Sequence, residues 1–185
     1  MQLGGPTWAV RLGRWDSTTA SRTAAESSLP LPFMDLLQLI NNFRNQGMDE
    51  RDLVALSGGH TLGLAQCGGF KGRLYDGINI DPKFAQERKK SCPQNGCDNN
   101  LAPLDQTPAQ FDVSYFTNLV HKRGLLKSDQ ALFSGGSTDS LVRSYGSNAK
   151  AFSADFARSM IKMGNLKPLT GKQGQIRRDC KRVNY

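Results

Sequence analysis

The segment Asp52-Leu53-Val54-Ala55-Leu56-Ser57-Gly58-Gly59-His60-Thr61-Leu62-Gly63 narrows the architecture more than any other stretch of this chain. Asp49 is a good N-cap, Asp52 falls in the first turn where a carboxylate complements the helix dipole, and Leu53 and Leu56 are spaced for burial. Gly58-Gly59 then ends the helix or bends it sharply, because glycine lacks the Cβ that penalises such backbone. The result is delivery of His60, one of only 2 histidines, just beyond a helix end. Gly58, Gly59 and Gly63 remove side-chain bulk around it, which suits a backbone packed against something large and flat. A phosphate-cradling loop is a poor match, since GGHTLG is neither GxGxxG nor GxxxxGK[ST].

Helical patterning recurs along the chain. A proline-marked turn at Leu29-Pro30-Leu31-Pro32 precedes a predicted helix over 33–44, with Phe33, Leu36, Leu37, Ile40 and Phe43 on one stripe and Gly47 as the stop. Asp81-Pro82 starts a short helix through Lys89, and Asp112 begins one with Tyr115, Phe116, Leu119 and Val120 on its apolar face, closed by Gly124. Ser137-Thr138-Asp139 opens a helix carrying Leu141, Val142 and Tyr145. Asn148 opens another, with Phe152, Phe156, Met160 and Met163 at helical spacing before Gly164. Trp8 to Leu12 alternates like a short strand or extended segment, and long loops are expected over 68–81 and 93–110, with an irregular tail from Asn165. The fold class is mostly α with minor short β segments and long loops, and 185 residues suit a single domain over 1–185.

Composition excludes several classes. Hydrophobic content of 38% beside 22% charged residues is ordinary for a globular protein, and no apolar run is long enough for a membrane span. The start Met1-Gln2-Leu3-Gly4-Gly5-Pro6 lacks the basic and apolar regions of a secretory signal, so the chain is expected to be mature, truncated or cytosolic. A formal net charge of +8 favours acidic partners such as nucleic acid, a polyanionic cell-wall polymer or a membrane surface. No nucleic-acid module accompanies it, so nucleic acid is not expected. Four cysteines, Cys67, Cys92, Cys97 and Cys180, allow three complete pairings. A zinc site from His60, Cys67, Cys92 and Cys97 would depart from the usual short paired spacings.

DLVALSGGHTLG followed by Cys67 resembles the proximal haem-ligand segment of secreted plant-type (class III) haem peroxidases. LGGPTWAVRLGR, LPLPF, FRNQG, SCPQNG, TPAQFD, GLLKSDQALF, MIKMGNLKPLTG and GQIRRDC occur around it in the order of that family and span nearly the whole chain. The resemblance implies the proximal, C-terminal part of the all-helical haem-peroxidase fold, without the N-terminal distal region. It also implies haem b and calcium as cofactors, hydrogen peroxide and small phenolic donors as substrates, a monomer, and a secreted, extracellular or vacuolar location. The activity implied is oxidation of those donors, with roles in hydrogen peroxide catabolism and the response to oxidative stress.

Carried over by motif, His60 is the axial iron ligand. Asp129 is the acceptor for its second ring N–H, which gives the imidazole anionic character; read without the family, Asp129 is equally a helix N-terminal aspartate. Thr61, Asp105, Thr107, Gln110 and Asp112 match the family's calcium site, although the family places two residues between the aspartate and Thr-Pro where this chain has only Gln106. Asp112 and Thr107-Pro108 read otherwise as a helix cap and a turn. Pro30 and Leu31 match an aromatic-donor contact and Phe70 an aromatic on the same rim, while a turn proline and a core phenylalanine are the plain readings. Cys67 and Cys92 match a family disulfide; Cys180 matches a cysteine whose usual partner precedes this sequence, and Cys97 is extra, so a Cys97–Cys180 bridge, an intermolecular bridge or free thiols stay open.

The family's distal histidine and arginine, which work on the peroxide, are not matched in these residues. His121, in Val120-His121-Lys122-Arg123, reads as a solvated histidine at a helix C-terminus. The alternative to the peroxidase reading is therefore a truncated, catalytically incompetent haem-binding fragment. A third is a basic cell-wall-binding protein.

Overall fold

The computed structural model describes residues 3–184. Its helices are α1 (Arg22–Ser28), α2 (Leu36–Asn45), α3 (Glu50–Ser57), α4 (Lys71–Asp76), α5 (Pro82–Ser91), α6 (Ser114–Val120), α7 (Lys127–Ala131), α8 (Asp139–Ser147) and α9 (Ala149–Gly164). Two short strands, β1 (Leu64–Gln66) and β2 (Leu101–Pro103), pair antiparallel with Ala65 opposite Ala102. The fold is mostly helical.

Several helix starts follow from their caps. The Asp35 side chain accepts from the Gln38 N–H while the Asp35 N–H donates to Gln38 Oε1, both at 2.9 Å. This reciprocal cap starts α2 at Leu36, leaving Phe33 in the preceding turn, exposed. The buried pair on α2 is Leu39 and Ile40, and Leu37 faces out, so the apolar stripe is rotated from the predicted one. Asp49 and Asp52 cap α3 in the same way. Asp81 accepts from the Phe84 N–H at 2.8 Å, with Pro82 at the first position of α5.

Trp8 to Leu12, expected as a short strand or extended segment, forms no strand. No partner strand reaches this segment, and Val10 and Leu12 are 72% and 91% exposed. Extended structure lies instead at β1, just before the stretch 68–81, and at β2, within 93–110; of the two expected loops, the first is in large part helix α4 and the second contains β2. Helix α1 buries no residue, which is why no apolar period announces it.

The larger core gathers Leu53, Val54, Phe116, Leu119, Val142 and Phe152 from α3, α6, α8 and α9. Phe116 and Phe152 meet edge to face with centroids 4.8 Å apart, and Phe111 stacks on Phe152 at 4.9 Å. The second core is built on Phe70, Leu74, Ala85, Ala102 and Leu125 around the Cys67–Cys92 disulfide, whose Cα atoms are 5.7 Å apart. Arg73 is buried beside it, donating to the carbonyls of Gly124 at 3.0 Å and Asn79 at 2.9 Å; burial lowers its pKa to about 10.

Helices α3 and α9 are pinned by two buried carboxylates. Asp52 accepts from Ser159 Oγ at 2.8 Å and pairs with Lys162; Asp155 accepts from Tyr145 OH at 2.6 Å and Arg51 at 2.8 Å and pairs with Arg158. Burial alone would raise both acids, but the donors and cations prevail and hold both below the ordinary carboxylate value. A depressed folded-state pKa contributes stability above the unfolded value, about 3.9, and that contribution is lost as pH falls through the folded values. Unfolding midpoints in urea should therefore be insensitive to these groups from neutrality to about pH 5 and fall below about pH 4. An Asp52→Asn/Asp155→Asn variant with the same acid limb as the parent would contradict this assignment.

Candidate functional site

His60 sits in a single 3-10 turn, Gly58–Thr61, that continues directly from α3. Its Nδ1 lies 2.7 Å from Asp129 Oδ1. Asp129, 2% exposed, is in α7, and its Oδ2 accepts from the Leu126 N–H at 3.2 Å. The Tyr115 hydroxyl, from α6, donates to Oδ1 at 3.0 Å. Three donors thus fix the carboxylate, and the carboxylate fixes the imidazole.

Burial pushes the His60 pKa down, but the charge and hydrogen bond of Asp129 outweigh it and the net shift is upward. Burial, with the Asp129 charge and hydrogen bond, holds the Tyr115 phenol well above its usual range. The His60 side chain is 41% exposed. With Nδ1 engaged, Nε2 is the ring nitrogen without a protein partner among the described residues. An imidazole oriented in this way is a good metal ligand.

The ring borders an open cleft of about 600 Å³ whose walls are mainly apolar, including Pro30, Leu31, Phe43, Leu56, Met163 and Leu166. The Pro30–Pro32 wall is tied to α7 by the Ser128 N–H, which donates to the Pro32 carbonyl at 3.0 Å. His60, Asp129, Pro30 and Leu31 therefore share one cleft. Phe70 does not line it. Phe70 is buried in the second core with Cys67 and Leu74, where its ring has more apolar surface to cover than the cleft edge offers.

The glycines before His60 have a different purpose from the one their sequence suggests. A Cβ on Gly58 would lie 2.5 Å from Phe152 Cε2 and 2.7 Å from Phe116 Cζ. Gly58 therefore makes room for the aromatic core. Gly59 faces Phe156, and Gly63, at φ +98°, turns the chain into β1.

Next to His60, the Thr61 side chain is buried in a cluster of oxygens. Thr61 Oγ1 is 3.4 Å from Asp105 Oδ2, 3.3 Å from the Gln110 carbonyl and 3.3 Å from Asp112 Oδ1. Thr107 Oγ1 is 3.0 Å from Asp105 Oδ1 and 2.9 Å from Asp112 Oδ2. All five sequence candidates meet here, Gln110 through its backbone. Two hydroxyl protons and the backbone N–H groups of Thr107 and Ser114 serve four carboxylate oxygens and a carbonyl, leaving acceptor capacity and negative charge in excess. Burial raises the Asp105 pKa against its bonds to Thr107, and the neighbouring Asp112 charge adds to the rise. The short Asp105–Thr107 spacing is absorbed by a tight turn, in which the Thr107 N–H donates to Asp105 Oδ1 at 2.6 Å.

Cys67 and Cys92 are disulfide-bonded, which removes two thiolates from the zinc alternative. Among the described residues no group of three or more His, Cys, Asp or Glu side chains converges as a metal site. Cys97 and Cys180 are both exposed and free, so they do not bridge each other. His121 is exposed at the end of α6, its Nδ1 2.8 Å from the Thr117 carbonyl. Sequence reasoning placed Tyr115 on an apolar face and missed its part in the site; the available signal was that a buried tyrosine needs a hydrogen-bond partner for its hydroxyl.

These features have counterparts among known proteins. Residues 1–148 match the family profile described as Peroxidase. The chain is 56% identical over 184 residues to the lignin-forming anionic peroxidase of Nicotiana sylvestris, covering 98% of this chain and 57% of that protein. It is 56% identical over 186 residues to peroxidase 70 of Zea mays, with 98% and 58% covered. With peroxidase P7 of Brassica rapa it shares 52% over 187 residues, 100% and 63% covered. The chain thus spans less than two thirds of the length of these relatives. By the extent of these matches and by its helical fold, the chain belongs to the peroxidase family.

Proposed function

We propose that this chain supplies the histidine side of a haem site in an enzyme that oxidises small phenolic donors with hydrogen peroxide. The observation that carries this reading is the half-exposed imidazole, held by buried Asp129 at 2.7 Å with Nε2 unengaged, in a mainly apolar cleft of about 600 Å³. That volume lies within the range of about 300–1,000 Å³ usual for small-molecule and cofactor sites. An apolar wall for a flat macrocycle and one neutral nitrogen for its iron are what haem requires, so these residues fit it.

In this reading His60 Nε2 would hold the iron, and bound haem would supply the redox chemistry with peroxide. Asp129 accepts the Nδ1 hydrogen bond, keeping the ring in the tautomer that leaves the Nε2 lone pair free. Tyr115 and the Leu126 N–H keep that carboxylate from turning away. Pro30 and Leu31 form part of the cleft wall where a phenolic ring would rest. Thr61, Asp105, Thr107, Gln110 and Asp112 would hold calcium through hydroxyl, carboxylate and carbonyl oxygens. All of this belongs to one haem-peroxidase domain that acts as a monomer. Its net charge of +8 supports an acidic cell-wall polymer as a partner, and the family supports a location outside the cell or in the vacuole.

Haem titration tests the reading directly. The chain should bind one haem with a histidine-ligated absorption spectrum, His60→Ala should lose that spectrum, and added imidazole should restore it. Identical spectra from parent and variant would refute the assignment. Calcium at about 100 times its Kd should stabilise the fold by about 2.7 kcal/mol. Asp112→Asn should lose most of that gain in thermal unfolding; an unchanged calcium response would remove the oxygen cluster from the reading.

A further inference from the structure

A second cleft, of about 240 Å³, opens between α5, the segment after β2 and the end of α6, away from His60. Arg88 lines it. The Arg88 guanidinium stacks on the Phe84 ring, 5.3 Å from its centroid, so its plane is set. Its Nε is buried and has no hydrogen-bond partner, and no ion pair engages the group among the described residues. Arg123, on the same cleft, approaches Asp81 only to 3.7 Å. The Asn118 side-chain amide lines the cleft and makes no hydrogen bond to the described residues, so it is free to meet a ligand. An orphaned buried donor such as Arg88 Nε is rare in folded chains and calls for an acceptor that is not part of the chain.

We propose that this cleft binds a hydroxylated monocarboxylate the size of one sugar acid. A planar carboxylate offers two acceptor oxygens to the Arg88 fork, with the Asn118 amide and Arg123 beside it. A dianionic phosphate fits less well, because Glu87 and Asp105 border the same space and repel a second negative charge. Glu87, with Gln106, is instead an acceptor for hydroxyl groups on the rest of the ligand, the Asp105 oxygens being engaged by Thr61 and Thr107. Such a unit occurs as a free sugar acid or as one residue of an acidic polysaccharide. The carboxylate and hydroxyl chemistry is common to both, and it depends on neither haem nor His60.

The test uses the full chain and D-galacturonate, titrated by calorimetry and by NMR of arginine side chains. The expected result is saturable binding with Kd on the order of 1 mM, with a shift of the Arg88 Nε–H resonance in the parent protein. Arg88→Gln and the isosteric Asn118→Asp should each weaken it by about tenfold or more. Galactose should not bind, and inorganic phosphate should bind more weakly than the uronate. An oligogalacturonate that binds more tightly per chain than the monomer would assign the site to the polymer; equal affinity per sugar would assign it to the free acid. Galactose or phosphate binding as tightly as galacturonate, an unmoved Arg88 Nε–H, or full affinity in both folded variants would overturn the proposal.

Discussion

Asp129→Ala should destabilise the folded chain by about 3–5 kcal/mol, in the range for breaking a buried charged hydrogen-bond network. The size follows from what the carboxylate leaves behind. The Tyr115 hydroxyl and the Leu126 N–H are both buried and would lose their acceptor, at about 1–3 kcal/mol each. The half-exposed His60 ring loses less, since water can reach it. Asp129→Asn is informative because the two oxygens have different duties. An amide oxygen can still serve His60 and Tyr115, but its NH2 group then faces the Leu126 N–H, donor against donor. The asparagine variant should fall between parent and alanine. Urea unfolding of the three proteins checks this, and a loss under about 1 kcal/mol for the alanine variant would show that the carboxylate does not hold the site together.

The second large effect belongs to the disulfide. Cys67 and Cys92 are separated by 25 residues, and a link of that reach typically contributes about 2–5 kcal/mol, mainly by restricting the unfolded chain. The cysteines are also wholly buried in the smaller core, so the double replacement Cys67→Ser/Cys92→Ser puts two hydroxyls among Phe70, Leu74 and Ala102. The expected loss is at the upper end of that range. It should be regional: amides of α4 and α5 should exchange with solvent much faster, while those of α3 and α9 change less, because the larger core does not include either cysteine. Uniform loss of protection across both cores would show that they unfold as one unit.

The helices that were legible in the sequence are those with a start signal, an apolar period or both: α5 through Asp81-Pro82, α6 and α8 through their apolar faces, α3 and α9 through both. Asp49, Asp81 and Asn148 marked their helices within a residue or two of the observed starts. Helix α1 has a cap, Ser21, but no buried face, and α4 is six residues inside a glycine-rich stretch, too short for a period to register. Strands β1 and β2 are three residues each, and only their pairing defines them. At the site, motif resemblance singled out His60, Asp129 and the five oxygen donors, and the structure places each set together. Phe70 is the exception, because a phenylalanine looks the same in sequence whether it edges a cleft or fills a core. Tyr115 was hidden for the opposite reason, its hydroxyl being silent in an apolar pattern.

Gly58 leaves no slack between the aromatic rings and the imidazole two residues later. The backbone there is gauged against Phe116 and Phe152, so the ring's tilt is indexed to the interior of the molecule. A change in how those rings pack is therefore also a change in where the imidazole stands, carried along the two residues of backbone that separate Gly58 from His60.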